Sequence, residues 1–188
     1  VASGIPILSP LQQDLAANEI KAIRAIVNGT TNYILTKMAK EGIAYGDALH
    51  QAQELGYAEA NPANDVEGID AAYKLAILAS LAFHTPVKPS AIFHEGISGL
   101  HPRDFTYARE LGYAVKLLAI AKERGSSVEA RVHPALVPLE SQLATVDGVF
   151  NAIQVEGDLV DTLVFYGRGA GGRPTSSTVV ADVLTIAR

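Results

Sequence analysis

The segment EIKAIRAIVNGTTNYILTKMAKEG, residues 19–42, predicts a strand, a tight turn and a helix in direct succession. Apolar and polar side chains alternate at period two from Ile20 to Val27, as is typical of a strand. After the turn, apolar side chains recur at helical spacing as far as Met38, and Gly42 is a typical helix stop. This strand–turn–helix unit sets the layering of sheet and helix around it.

The turn inside this segment carries Gly29 and Thr30, and Thr30 or Thr31 is the expected N-cap of the helix. Because the first N–H groups of a helix have no intrahelical acceptor, backbone donors and the Thr30 hydroxyl are expected to lie together. Such a place suits a carboxylate or a polarised carbonyl oxygen. An ordinary turn with a threonine cap explains the stretch equally well, and both interpretations stay open.

The other elements are predicted from periodicity, glycines and prolines on either side of this unit. Early helices followed by a strand-rich second half indicate an α+β fold, with a mixed, largely antiparallel sheet and helices packed on one face. The length of 188 residues suits a single domain with one core. The predicted helices cover 10–17, 45–55, 64–83 and 103–124, with a last helix from Pro174, and the predicted strands cover 126–138 and a hairpin within 149–167.

The composition excludes several classes of protein. Hydrophobic residues make up 48% of the chain and charged residues 19%, with a mean hydropathy of +0.18, which excludes disorder and leaves apolar surface for a partner. A net charge of −5 without a run of lysine or arginine argues against a nucleic-acid ligand. Without cysteine, no disulfide, thiolate nucleophile or cysteine-based zinc site can form.

The ends and the apolar runs of the chain indicate its context. The longest apolar stretch, Leu75–Phe83, is far shorter than the roughly 20 residues of a membrane span, so we expect no membrane association and a cytoplasmic location. The sequence begins at Val1 rather than at a methionine and ends without a polar tail. We therefore expect it to be part of a longer chain.

The segment GYAEANPANDVEGIDAAYKLAILASLAF, residues 56–83, combines charge with hydrocarbon. Asn64 and Glu67 predict a capping-box-like helix start, and Asp70 and Lys74 lie on one helical face with Glu67 beside them. An exposed i,i+4 pair is the ordinary explanation. However, the other faces are almost entirely apolar, which predicts that the pair lies inside the protein or at the floor of a cleft. A lysine in that position can transfer protons or anchor a substrate.

The acidic residues near this helix outnumber its lysine. Glu59, Asp65 and Glu67 add to Asp70 more negative charge than Lys74 can balance. A substrate ammonium group is the simplest missing partner, and a metal ion is the second. Solvated loop acids are the simplest structural explanation.

The segment GRGAGG matches the G-x-G-x-x-G pattern of dinucleotide-binding proteins at Gly167, Gly169 and Gly172. That pattern also requires a following strand and an acidic residue about 20 positions on, and the sequence ends sooner. We therefore expect these glycines to allow close approach of backbone to a ligand, outside any nucleotide-binding domain.

Four segments together resemble homoserine dehydrogenase of the monofunctional bacterial type: VASGIPIL, IVNGTTNYILTKM, LGYAEANPANDVEGIDAAYKLAILA and FYGRGAGGRPTSSTVVADVL. The resemblance implies the catalytic and dimerisation domain of that enzyme, without its N-terminal Rossmann domain and its C-terminal ACT domain. It also implies interconversion of L-homoserine and L-aspartate 4-semialdehyde with NAD(P)(H), in the biosynthesis of threonine, methionine and isoleucine. The implied partners are a small amino-acid substrate and a second copy of the chain.

The resemblance also implies roles for individual residues. Lys74 matches the lysine of acid–base catalysis and substrate contact, and Asp70 matches the aspartate that orients the substrate. Glu59 and Asp65 match acids near its ammonium and hydroxyl ends. Further matches are Gly29, Thr30 and Tyr57 in the substrate pocket, Gly171 at the cofactor, and the backbone carbonyls of Val1, Ser3 and Ile5 at a monovalent cation (Na⁺ or K⁺).

Two other functions compete with this one. Aspartate-semialdehyde dehydrogenase acts on the same aldehyde through a thiolate, which a chain without cysteine cannot supply. A non-catalytic dimerisation or amino-acid-binding module remains an alternative. We expect the isolated segment to be inactive and to dimerise through the exposed face of its sheet. NAD and NADP both stay open, because the ribose-binding residues lie outside the sequence.

Overall fold

A computed structural model describes residues 1–125 and 127–187. The helices are α1 Leu8–Gln12, α2 Gly29–Glu41, α3 Tyr45–Glu54, α4 Ala63–Val66, α5 Ile69–Ala82, α6 Pro102–Glu110 and α7 Gly172–Ile186. The strands are β1 Ile20–Ile26, β2 Phe93–His94, β3 Tyr113–Arg124, β4 Ser127–Pro138, β5 Phe150–Gly157 and β6 Asp161–Arg168. Within these described residues, the six strands form one sheet in the order β2-β4-β3-β1-β5-β6, in which only the pairing of β2 with β4 is parallel.

The predicted α+β fold with a largely antiparallel sheet is confirmed. Strand β1 lies inside the sheet between β3 and β5, and α2 leaves directly from its end. Helices α2, α5 and α6 pack against the sheet around one main apolar core. The side chains with the largest volumes that this core buries completely are Ile7, Ile23, Ile34, Leu35, Met38, Leu75, Leu78, Ile97 and Ile153.

The start of α2 differs from the prediction by two or three residues. Asn28, not Thr30 or Thr31, is the N-cap: its backbone is extended and its side chain accepts the N–H of Thr31 at 2.9 Å. Asparagine is among the most favourable N-cap residues, and here it ends the strand and starts the helix in one step. Gly29 is consequently the first helical residue.

The helix predicted over 103–124 is wrong in its second half. Helix α6 ends at Glu110, Gly112 adopts a left-handed conformation with φ of 85°, and residues 113–124 form strand β3. Strand β3 is buried on both faces, so its sequence is a nearly continuous apolar run. Such a run has no period that separates a central strand from a buried helix.

The helix predicted over 64–83 is interrupted. Helix α4 ends at Val66, and Gly68 has φ of 78°, a left-handed conformation that breaks the helical path before α5 begins at Ile69. The predicted capping box of Asn64 and Glu67 is therefore wrong. At the start of α6, the Asp104 carboxylate accepts the N–H of His101 at 2.7 Å. The first predicted helix, over 10–17, is also misplaced, because α1 covers Leu8–Gln12.

The hairpin predicted within 149–167 is confirmed as β5 and β6, and a helix follows it as expected. None of the described residues of α7 is buried, and its Val179, Val180, Val183 and Leu184 are all more than half exposed. The sheet face opposite the helices carries a second, smaller core around Ile26, Ile120 and Leu143 and is otherwise open. No helix among the described residues is long and apolar enough to cross a membrane.

Candidate active site

A polar cluster forms where β1 ends and helices α2, α4 and α5 begin. Its members are Asn28 from the start of α2, Asp65 from α4, and Asp70 and Lys74 from the first turns of α5. Hydrogen bonds of 2.7–3.0 Å join these side chains to one another and to the carbonyl of Val27. The candidate site thus connects three helices at one edge of the main core.

The Asp70–Lys74 pair is the centre of this cluster. Lys74 Nζ lies 2.7 Å from Asp70 Oδ2 and 3.0 Å from the carbonyl oxygen of Val27, and the side chains of Lys74 and Asp70 are 26% and 23% exposed. A lysine ammonium has three N–H donors, so two are used and one remains for a ligand atom. The pair is half-buried, at the edge of the core rather than deep inside it.

Helix α5 is less completely enclosed than its sequence predicts. Seven of its residues are buried, but Tyr73 is 57% exposed and Ile77 is 48% exposed. These two residues lie on a strip of α5 that faces outward. The cluster at the start of the helix therefore has access to solvent or to a ligand.

Asn28 was not identified as a functional residue from the sequence. Its Nδ2 donates to Asp65 Oδ1 at 2.7 Å and to Asp70 Oδ2 at 2.9 Å, while its Oδ1 accepts from Thr31. Its position before a helix-starting glycine could have revealed the N-cap. No local signal could have revealed the two carboxylates, which lie 37 and 42 residues further along the chain.

The charge of the cluster favours a cationic ligand. The aspartates carry two negative charges and Lys74 one positive charge, while Asn28 contributes none. The surplus of acid that the sequence predicted is thus real at Asp65 and Asp70. A ligand ammonium group would balance it.

The predicted pocket residues Gly29, Thr30 and Tyr57 lie together beside this cluster. The Thr30 hydroxyl donates to the carbonyl of Tyr57 at 2.6 Å, and the Tyr57 ring packs on Tyr33 with centroids 5.1 Å apart. Gly29 packs against the backbone just before β5, because a Cβ on Gly29 would be 3.0 Å from the carbonyl oxygen of Val149. The loop that carries Tyr57 is therefore fixed to the first turn of α2.

Two of the predicted acids are not hydrogen-bonded into the cluster. The side chain of Glu59 is exposed, and its carbonyl accepts from Gln53. Glu67 leaves the predicted stripe because the chain turns at Gly68, and its carboxylate instead accepts from the Ser98 hydroxyl at 3.0 Å. The alignment of Glu67 with Asp70 and Lys74 was therefore predicted wrongly.

The glycines of the GRGAGG segment divide into two groups. A Cβ on Gly169 would overlap the Asn151 side chain and one on Gly167 would lie 3.3 Å from Ile5, so these two glycines approach their own chain rather than a ligand. Gly171 precedes α7 with φ of 121°, and Gly172 faces open space. A groove of about 530 Å³ lies along Gly171, Gly172, Thr175, Ser176, Val179 and Val180. Bare backbone at a helix start beside an open groove leaves room for an anionic group of a ligand.

The predicted cation ligands lie in the N-terminal segment, close to α7. The carbonyl of Ser3 accepts from the Thr178 hydroxyl, and the carbonyl of Ile5 accepts from the N–H of Ile7 at 2.8 Å. A carbonyl oxygen has two lone pairs, so each retains one. Within residues 1–125 and 127–187, no group of three or more histidine, aspartate or glutamate side chains could hold a metal ion.

A second lysine–aspartate cluster lies elsewhere and was not predicted. Lys116 of β3, only 4% exposed, donates to Asp147 Oδ1 at 3.0 Å and to the carbonyl of Val146 at 2.5 Å, and Lys40 of α2 lies 2.7 Å from Asp147 Oδ2. Burial lowers the pKa of Lys116, and its bond to Asp147 opposes that effect. Burial alone would raise the pKa of Asp147, but the bonds from Lys40 and Lys116 outweigh it and lower that pKa.

This second cluster borders a cavity of about 390 Å³ between α2, α6 and the start of β3. Both lysines bind the same carboxylate, which joins α2 and β3 to the segment before β5. A network that ties three parts of the chain together has a structural role. The cavity is therefore a weaker candidate for catalysis than the cluster around Lys74.

Comparisons with known proteins agree with the geometry. The profile of the homoserine dehydrogenase family matches residues 6–184. A homoserine dehydrogenase of Neisseria gonorrhoeae is 53% identical over the whole chain, which spans 43% of that protein. The crystal structure of a homoserine dehydrogenase from Thiobacillus denitrificans superposes with a TM-score of 0.95 at 50% identity, over 97% of this chain and 42% of that one.

A more distant structure has a bound cofactor. It is a mutant of a hyperthermophilic archaeal homoserine dehydrogenase in complex with NADPH, with a TM-score of 0.82 and 33% identity. It covers 98% of this chain and 52% of the archaeal one. The chain thus spans about half the length, or less, of the relatives it matches. With the family profile and these identities over nearly its whole length, the chain belongs to the homoserine dehydrogenase family.

Proposed function

We propose that this chain carries the substrate-binding and catalytic part of an oxidoreductase that interconverts L-homoserine and L-aspartate 4-semialdehyde with NAD(P)(H). The reaction would serve the biosynthesis of threonine, methionine and isoleucine. The observation that carries the proposal is the half-buried cluster of one lysine and two aspartates at the start of α5. Membership of the family supplies the reaction, and the cluster supplies groups that suit it.

The acids of the cluster would bind the ammonium group of the substrate. Asp65 and Asp70 leave one uncompensated negative charge after Lys74 is counted. Glu59, exposed on the loop before α4, would add to this field. In a partly dehydrated cleft such a charge favours a cation, and charge-assisted hydrogen bonds to an ammonium group are among the strongest available. Gly29, Thr30 and Tyr57 would form the adjoining wall of the pocket.

Lys74 would handle the proton of the reaction. When the aldehyde is reduced, its oxygen needs a proton to become the hydroxyl of homoserine, and Lys74 Nζ has one N–H not used by Asp70 or Val27. In the reverse direction the same nitrogen, as the neutral amine, would accept the hydroxyl proton and become the ammonium group again. Asp70 would orient the Lys74 ammonium group through their hydrogen bond of 2.7 Å.

The cofactor would supply the hydride chemistry when bound. Gly171 and the start of α7 would contact it, because the groove there exposes bare backbone. The rest of its binding site would come from a Rossmann domain elsewhere in a longer chain, with an ACT domain as a further part. This arrangement would leave the 188-residue segment inactive when isolated.

A monovalent cation could be bound by the free lone pairs of the Val1, Ser3 and Ile5 carbonyls. The site would lie next to the start of α7 and would stabilise the N-terminal segment. No chemical step is assigned to it. Replacing Na⁺ and K⁺ by tetramethylammonium is expected to lower thermal stability if the cation binds there.

The open face of the sheet would form a homodimer interface. The protein would be located in the cytoplasm. A groove of about 570 Å³ on that face lies over Leu118 and Ile120, which are buried in the smaller core. Tyr166, which pairs with Ala152 of that core, is 56% exposed and stacks on Phe150. Exposed apolar surface beside a groove is typical of interaction sites. Sedimentation should give a dimer, and a monomer at micromolar concentration would contradict the proposal.

The proposed function is tested by measuring how fast the full-length protein turns over two alternative substrates. The substrates are L-homoserine and 4-hydroxybutyrate, which lacks the ammonium group, and nicotinamide reduction is the readout. We expect kcat/KM to favour homoserine by about 100-fold or more, since the acids would be unpaired with the analogue. Asp65→Asn should reduce that preference, and Asp14→Asn on the exposed surface should not.

Two outcomes would contradict the proposal. Equal kcat/KM values for the two substrates would rule out a binding site for the ammonium group. Binding of homoserine without any nicotinamide reduction would favour the alternative, a non-catalytic amino-acid-binding or dimerisation module. The exposed apolar side of α7 and the open sheet face are the features that keep this alternative in view.

A further inference from the structure

Asn28 has a position that capping alone does not explain. The residue is 5% exposed, and its side chain makes hydrogen bonds at both ends. The N–H of Thr31 can only donate, so it fixes the oxygen end of the amide. The nitrogen end then faces Asp65 and Asp70, whose ionised carboxylates can only accept. The orientation of the amide follows from both sets of partners independently.

This geometry brings two like charges together. Because Asp65 Oδ1 and Asp70 Oδ2 bond to the same nitrogen, they are at most 5.6 Å apart, the sum of the 2.7 Å and 2.9 Å bond lengths. Two carboxylates at that separation repel each other. Of the two aspartates, Lys74 hydrogen-bonds only to Asp70, so among the described residues Asn28 is the group that hydrogen-bonds to both.

A neutral amide has a different effect from a cation at this position. An arginine or lysine would also hold both carboxylates, but it would neutralise their charge and weaken their attraction for a substrate cation. Asn28 donates two hydrogen bonds and leaves the net charge of the cluster unchanged. The second oxygen of each aspartate stays available for a ligand.

We propose that Asn28 is a positioning residue for the substrate, which holds Asp65 and Asp70 side by side so that their outer oxygens converge on its ammonium group. This inference rests on the proposed function. Asn28 itself acts through the two aspartates. Its capping of α2 is a separate role, carried by the other end of the same amide.

Three substitutions separate the two roles. Serine and aspartate are both good N-cap residues, so Asn28→Ser and Asn28→Asp retain an acceptor for the Thr31 N–H. Asn28→Ser removes the double donor, and Asn28→Asp puts a third carboxylate against the other two. Asn28→Ala removes the cap as well. Asn18→Ser, at a distant asparagine, is the matched control.

The expected result is a selective loss of homoserine binding. In Asn28→Ser the KM for homoserine should rise about ten-fold or more, and in Asn28→Asp further, while the KM for the nicotinamide stays within about two-fold. The preference for homoserine over 4-hydroxybutyrate should fall in both variants. Equal losses for the two substrates, or an unchanged KM in Asn28→Asp, would overturn the proposal.

A second measurement does not depend on turnover. In an NMR spectrum of the wild-type protein, both Asn28 side-chain N–H signals should exchange slowly with water, and Asp65→Asn or Asp70→Asn should speed the exchange of one. Fast exchange of both would overturn the inference whatever the activity. If the wild-type protein does not oxidise homoserine, the proposed function fails, and these signals still decide whether Asn28 holds the two aspartates.

Discussion

Two lysine–aspartate pairs in this protein have similar bond lengths and different surroundings. Lys74 and Asp70 are 2.7 Å apart and both about one-quarter exposed, whereas Lys116 and Asp147 are 3.0 Å apart with side chains 5% and 39% exposed. Lys116 is buried in a strand and its acid faces outward. Lys74 and its acid lie together at an open edge.

The difference shows that the surroundings of a lysine–aspartate pair determine whether it stabilises the fold or keeps charge available for a ligand. Asp147 binds two lysines from two elements, so its charge is fully used in holding the fold. Asp70 binds Lys74 and lies beside Asp65, which has no bond from that lysine, so negative charge remains for a ligand. In a third pair, on the surface of α2, Lys37 Nζ lies 2.6 Å from Glu41 Oε1. This pair lies within one helix, so it neither joins two elements nor leaves negative charge for a ligand.

The largest expected effect belongs to the first pair. Lys74→Ala should lower kcat by about 10² to 10⁴, because the proton donor and acceptor is lost, while the free energy of unfolding changes little. Lys88→Ala, an exposed lysine of the following loop, is the control and should retain normal turnover. Steady-state kinetics and denaturant unfolding on the same preparations give both quantities. Near-normal turnover in Lys74→Ala would disprove its role.

The second pair should give the opposite pattern. Asp147→Asn leaves the buried ammonium of Lys116 without its charged partner, and we expect the free energy of unfolding to fall by about 1–3 kcal/mol. The kcat of the folded variant should stay close to that of the wild type. A large loss of kcat at unchanged stability would mean that the second cluster takes part in the chemistry.

The pH dependence of stability should distinguish the same variant. Because the pKa of Asp147 is lowered on folding, its ionised form stabilises the protein above the ordinary value of 3.8, and this stabilisation is lost as the pH falls through the lowered pKa. The stability difference between the wild type and Asp147→Asn should therefore shrink below about pH 3.8. Denaturant titrations from pH 6 downward would measure it. A constant difference would contradict the assigned pKa shift.

The smallest effect is expected at the exposed pair. Glu41→Gln removes a contact that water and salt already screen, so the unfolding midpoint should stay within experimental error. The same titration in low and high salt provides the measurement. A loss as large as that of Asp147→Asn would show that burial does not explain the contrast between the pairs.

The sequence predicted the fold best where turn residues mark the end of one element and the start of the next. Strand β1 does not alternate strictly, because Ala22–Ile23 and Ala25–Ile26 are buried as adjacent pairs, but α2 follows at a glycine, so both elements were found within a few residues. Strand β3 was mistaken for helix because it is buried on both faces and shows no alternation. The break before α5 depends on the conformation of Gly68, which composition alone does not reveal.

The candidate site was predictable to the extent that its contacts are local. Asp70 and Lys74 are one helical turn apart, so their pairing follows from spacing. The contacts of Asn28 join residues 37 and 42 positions apart, and Lys116 is hidden in an apolar strand. Long-range polar contacts of this kind depend on the packing of helices and strands, which no single segment encodes.

The most direct test of the contrast between the two lysines is to measure kcat/KM for homoserine and the free energy of unfolding in Lys74→Ala and Lys116→Met side by side. Both variants should be made in the full-length protein. We predict that Lys74→Ala loses kcat/KM while its free energy of unfolding stays close to that of the wild type. In Lys116→Met the free energy of unfolding should change, while the folded fraction keeps the wild-type kcat/KM. If both variants lose turnover and stability in the same proportion, the assignment of one lysine to chemistry and the other to the fold is wrong.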